Sequence, residues 1–120
     1  MTTTRRAGWL AIAGLGFVGC GAAPIPADRL ASAEAGIRGA TEVGAENVPE
    51  AALHLKMARD QVAQAKALDK DGDYDRAASV LSRAEADAEL ALAMTRETAA
   101  RAEANEVLAQ VQALKQTRSY

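Results

Sequence analysis

The sequence predicts an all-α chain: an antiparallel three-helix bundle or helical hairpin with a long third helix and coiled-coil-like packing. Three observations predict it. Alanine, the strongest helix former, fills roughly a quarter of the 120 residues. Apolar residues recur at three- and four-residue spacing over long stretches, the signature of a helix with one buried face. Glycine and proline, which would break that pattern, interrupt it at a few places that read as boundaries. The length allows one domain. With only 3% aromatic residues, a ring-lined ligand pocket is hard to build.

The first 19 residues read differently from the rest. Arg5 and Arg6 precede an apolar run from Ala7 to Val18 that contains no acid, the order of a secretory signal peptide. The run is shorter than the ~20 residues needed to span a bilayer, and Gly21 to Pro24 follow where a spanning helix would have to continue. Gly8 breaks the context that a twin-arginine signal would need after its arginine pair.

The run ends Gly16-Phe17-Val18-Gly19-Cys20, which resembles the bacterial lipobox. The resemblance implies cleavage between Gly19 and Cys20, and attachment of diacylglycerol and a further acyl chain, such as palmitate, to Cys20. Cys20 is the only cysteine, so it has no partner for an internal disulfide. Several acyl chains, each contributing about 0.8 kcal/mol per buried methylene, would hold the chain on a membrane firmly. Position 21 is glycine rather than the aspartate associated with inner-membrane retention, so the resemblance favours the outer membrane, with the domain facing the periplasm. Residues 20–26 then form a lipidated linker and 27–118 the helical domain.

Loss of Arg5 and Arg6 with the signal moves the formal charge from -2 to about -4. An acidic chain lacks the basic patch that displaces counterions from nucleic acid, so no nucleic-acid partner is expected.

The first helix is expected at about 27–43, with Leu30, Ala33, Ile37, Ala40 and Gly44 on one face. Gly36, Gly39 and Gly44 weaken it by up to ~1 kcal/mol each unless a neighbour approaches closely there. Asn47-Val48-Pro49-Glu50 reads as a start signal, Asn47 capping and Glu50 completing a capping box. A second helix at about 49–68 then places Leu55, Ala58, Val62 and Ala65 on one seam. His54, the only histidine, lies beside that seam and has no cysteine or second histidine with which to share a metal. No metal or cofactor is expected.

Asp69-Lys70-Asp71-Gly72-Asp73-Tyr74-Asp75 alternates acids as a calcium loop does. No register satisfies both the glycine and the bidentate glutamate of an EF-hand. A tight turn fits instead, with Gly72 left-handed at the end of helix two, Asp73 capping helix three at Tyr74, and Asp75 favoured by the helix dipole.

The third helix, about 74–116, has no internal glycine or proline. Its first half aligns Tyr74, Ala77, Leu81, Ala84, Ala88 and Leu92. Its second half aligns Leu90, Ala93, Ala100, Ala104, Val107, Val111 and Leu114 on a displaced seam that Glu97 interrupts. A bundle in which the partner changes along the helix therefore fits better than a continuous coiled coil. The distal face of Ala100, Ala104, Val107, Val111 and Leu114 is expected to lie uncovered and to be the partner surface.

A lipobox followed by alanine-rich helices, the Gly72-Asp73-Tyr74-Asp75-Arg76-Ala77 turn and the run Ala84 to Ala91 resembles the small bacterial lipoproteins of domain-of-unknown-function family 4398 over about Ala31 to Ala104. The resemblance implies a helical domain in the cell envelope. Members joined to an OmpA-like domain bind peptidoglycan through it; no such domain follows here, so that binding is not carried over. The turn also resembles one tetratricopeptide junction, without a second copy at a fixed period.

These readings lead to a non-enzymatic outer-membrane lipoprotein acting as a periplasmic helical scaffold or adaptor. The membrane is its expected partner through lipid on Cys20, and the third helix is expected to contact an envelope protein or the cell wall. Two alternatives use the same features: a membrane-to-wall tether that binds peptidoglycan non-covalently, and a self-associating coiled-coil lipoprotein forming homo-oligomers. Covalent linkage in the manner of murein lipoprotein lacks its terminal lysine, since the chain ends Thr117-Arg118-Ser119-Tyr120. An enzyme would need a nucleophile, base or metal set, and the carboxylates here sit at ordinary helix-surface spacings.

Overall fold

The computed structural model describes residues 21–118. The expected signal sequence, the expected Gly19/Cys20 cleavage position and the expected lipid attachment at Cys20 fall outside the described residues. Three helices follow one another: α1 (Ala27–Glu42), α2 (Pro49–Lys70) and α3 (Tyr74–Thr117), with one turn of 3-10 helix, Ala45–Asn47, between the first two. The described residues contain no strand. The chain is the all-α bundle that its periodicity predicts, with a third helix of 44 residues against 22 in the second.

Each reversal is made by a left-handed glycine. Gly44 ends α1 at φ 85° and Gly72 ends α2 at φ 81°, a region that costs residues with a Cβ about 1–2 kcal/mol. At the second turn the Gly72 amide donates to Asp69 O (3.1 Å) and the Asp73 amide to Leu68 O (2.9 Å), the paired bonds of a Schellman motif. Gly72, Asp73 and Tyr74 thus form the expected turn.

The capping side chains differ from expectation. Val48, not Asn47, occupies the N-cap of α2 and makes no side-chain cap, with Pro49 as the first helical residue. Asn47 is used earlier, in the 3-10 turn, where its amide donates to Gly44 O (2.9 Å). Asp73 does stand at the N-cap of α3, but its carboxylate caps no amide; it accepts from Arg76 Nη1 at 3.1 Å. The backbone of Asp73, at φ -85° and ψ 65°, also departs from the extended geometry typical of a capping residue.

The core is small in every sense. Ala33, Ala40, Ala45, Ala51, Ala58, Ala65, Ala77, Ala84, Ala88 and Ala91 are buried, and only Leu55 and Leu81 are large, fully enclosed side chains. The α2 seam of Leu55, Ala58, Val62 and Ala65 is buried throughout, as its spacing predicts. At ~25 cal/mol per Å2, such a core stabilises less per residue than a leucine core, but it lets the backbones approach closely. Gly36 shows this: a Cβ placed there would stand 3.3 Å from the Cβ of Ala88, so α1 crosses α3 where it has no side chain.

Ion pairs hold α1 down at its edges. Arg29 Nη2 donates to Glu85 Oε2 (2.6 Å) and Ser82 Oγ (3.0 Å) on α3. Lys66 Nζ of α2 donates to Glu34 Oε1 (2.6 Å), and Arg59 Nη2 bridges Thr41 and Glu46, both at 2.9 Å. The ammonium of Lys66 beside Glu34 holds that carboxyl below its ordinary value.

Candidate functional site

Where the burial stops defines the site. α3 contributes Ala77, Val80, Leu81, Ala84, Ala88, Ala91 and Thr95 to the interior, and Thr95 is the last of them. From Arg96 to Arg118 every residue is exposed. At 1.5 Å per residue the free stretch of helix extends roughly 35 Å past the bundle.

On this arm Val107 is 51% exposed, Leu108 58%, Val111 41% and Leu114 64%. With Ala100 and Ala104 they follow the predicted distal seam, and all are exposed as expected. The seam turns away from the bundle: Val111 follows Ala91 by roughly five and a half turns at 3.6 residues per turn, so the two face opposite sides of the helix. Lengthening α1 and α2 would therefore not cover it.

Arg101 Nη2 donates to Glu97 Oε1 at 2.5 Å, Gln110 to Glu106 at 3.4 Å and Thr117 to Leu114 O at 2.9 Å, each within the helix. Local pairs of this kind are worth about 0.2–0.5 kcal/mol each. The arm keeps its form because the bundle has already nucleated the helix, leaving only propagation through Ala, Glu, Arg, Gln and Leu, all good helix formers.

A polar cluster sits between α2 and α3. His54 Nδ1 lies 2.7 Å from Asp87 Oδ1, and Gln61 Nε2 donates to Asp87 Oδ2 at 2.9 Å. Gln61 Oε1 is buried without a partner among the described residues. The histidine takes the boundary position expected of it, but sequence reasoning missed its partner. The legible signal was that His54 and Gln61 stand seven residues apart on one edge of the α2 seam.

A groove of about 480 Å3 lies between α1 and α3. The groove's polar lining is Ser32, Glu85 and Glu89, and Glu85 is held by Arg29. Among the described residues no group of three or more His, Cys, Asp or Glu side chains gathers to hold a metal. No described helix is long and apolar enough to cross a membrane.

The family model of a domain of unknown function, DUF4398, matches residues 28–107. That is two thirds of the chain and runs from the start of α1 into the arm as far as Val107, so the chain belongs to this family. No curated protein and no solved structure is detectably similar to it.

Proposed function

We propose, from the premise that this chain is a member of the DUF4398 family, that it is a non-enzymatic lipoprotein of the bacterial outer membrane serving as a periplasmic helical scaffold or adaptor. Lipid on Cys20 fixes one end, and the distal face of α3 engages a partner in the envelope. The observation that carries this reading is the bulky apolar stripe left open from Arg96 onward, with Val107, Leu108, Val111 and Leu114 between 41% and 64% exposed. A stripe of that kind on an otherwise polar arm marks an interaction surface. The fully exposed arm carries no buried core to maintain, so its valines and leucines contribute nothing to the bundle.

Two measurements test the reading. Labelled palmitate is expected in the wild-type chain of the outer-membrane fraction and absent from Cys20→Ala; label retained in that variant would remove the anchor. A photocrosslinker at Val107 is expected to give one discrete adduct that Val111→Asp loses, and failure to do so would remove the adaptor role. A second reading, self-association, uses the same stripe: the mass in solution would then exceed that of a monomer and fall on Val107→Asp/Val111→Asp substitution. An unchanged monomer mass excludes it.

A further inference from the structure

We propose that the α2–α3 turn is the membrane-facing pole of the domain, and that α3 carries its distal face away from the bilayer. This rests on the lipid-anchor reading above, and adds a direction to it. The linker does not trail from the bundle. The Ile25 amide donates to Asp69 Oδ1 at 2.7 Å, near the end of α2, and the Ile25 side chain packs with Leu68 against the core of Ala33, Val62, Ala65, Val80 and Leu81. The chain therefore enters the fold beside the Gly72 turn.

From Cys20 to Ile25 is a span of five residues, at most ~17 Å when fully extended. Anchored acyl chains would hold the turn close to the headgroups. α1 then leaves that pole and α3 runs beside it in the same direction: Arg29 reaches Glu85, Gly36 meets Ala88, and Ala40 packs in one cluster with Ala91. α3 continues past the end of α1. At 1.5 Å per residue, Val107 to Leu114 lie roughly 50–60 Å along the helix from Tyr74.

The direction is set by the short linker and not by charge. The arm interleaves Arg96, Arg101, Lys115 and Arg118 with Glu97, Glu103 and Glu106, giving no continuous basic face with which to lie along an anionic surface. The partner surface is thus presented at the far pole of a tether fixed at one tip, and its partner sits well clear of the lipid that anchors the chain.

The test uses the full chain, isolated from membranes and reconstituted in phosphatidylethanolamine/phosphatidylglycerol vesicles carrying a headgroup-attached energy acceptor. Asp71→Cys and Gln112→Cys each receive a thiol donor dye, with Asp75→Cys and Ala109→Cys as second positions, all checked for unchanged helix content. Strong transfer at 71 and 75 with several-fold weaker transfer at 112 and 109 is expected. Equal transfer at both ends in a vesicle-bound chain would overturn the orientation and leave the anchor standing. Dye uptake by the wild-type thiol together with no vesicle binding would overturn the anchor itself, because a lipidated Cys20 has no free thiol.

Discussion

The two halves of α3 are built from nearly the same residues and held by different forces. Before Arg96 the helix is covered by α1 and α2, and its buried positions are alanines with Val80, Leu81 and Thr95. After Thr95 it has larger apolar side chains, Val107, Leu108, Val111 and Leu114, and none of them is buried. The small side chains enclosed in the first half are therefore the ones that hold the fold together. Burial decides what a methyl group contributes, and an alanine enclosed between helices can matter more to the bundle than a leucine left in water. The larger side chains, with no part in the bundle, remain available for a partner.

The sharpest way to break this contrast is to truncate one leucine in each half. Leu81→Ala, like Leu55→Ala on the facing α2, should cost about 2–4 kcal/mol in denaturant unfolding, since both side chains are fully enclosed. Leu114→Ala should change the same midpoint by no more than about 0.5 kcal/mol, as for other exposed sites. Comparable losses would mean that the arm packs on the bundle.

The next largest effect belongs to the turn on which both halves depend. Gly72→Ala is expected to lower stability by about 1–2 kcal/mol, because a Cβ is strained at left-handed φ. Nothing lies within 4 Å of the position, so the loss would come from the backbone alone. Loss of unfolding cooperativity would show that the turn also sets the register of α2 against α3.

A glycine in the arm separates propensity from packing. Ala102→Gly should cost about 1 kcal/mol of local helix stability, visible as reduced helix content and faster amide exchange after Arg96, while the bundle's unfolding midpoint stays in place. A shifted midpoint would make the arm part of the cooperative unit.

The smallest effect is electrostatic and confined to the bundle. Glu34 is held below its ordinary value of 4.5, first by the hydrogen bond from Lys66 and then by the charge of the same ammonium. A carboxyl lowered on folding stabilises the fold above its unfolded value, and that contribution is lost as pH falls through the folded value. Wild type should thus exceed Glu34→Gln slightly at neutral pH, and the difference should vanish in acid below 4.5. Because the pair is exposed, added salt should shrink it as well. A difference that grows in acid would reverse the assignment.

Much of this contrast was legible in the sequence, for reasons that trace to particular residues. Pro49, Gly44 and Gly72 punctuate the chain, and between them period and propensity fix the helices to within about two residues. The seam of Leu55, Ala58, Val62 and Ala65 and the displaced seam ending at Leu114 both follow from spacing alone. The caps were not legible: Asn47, Asp73 and Glu50 all have the right chemistry. Neither helix start is capped by a side chain, and the carboxylate of Asp73 pairs with Arg76 instead, a choice that local pattern does not rank.

By itself the sequence determined the helices, the two seams and the reversal at Gly72. These depend on 3.6 residues per turn and on which residues tolerate a left-handed backbone, both properties of a few neighbouring residues. Only the tertiary structure decided that Ile25 is tied to Asp69, that His54 and Gln61 converge on Asp87, and that Gly36 is the point where α1 meets Ala88. Those pairings depend on the offset and crossing of whole helices. That offset emerges when all the small side chains interdigitate at once, and no window of sequence contains it.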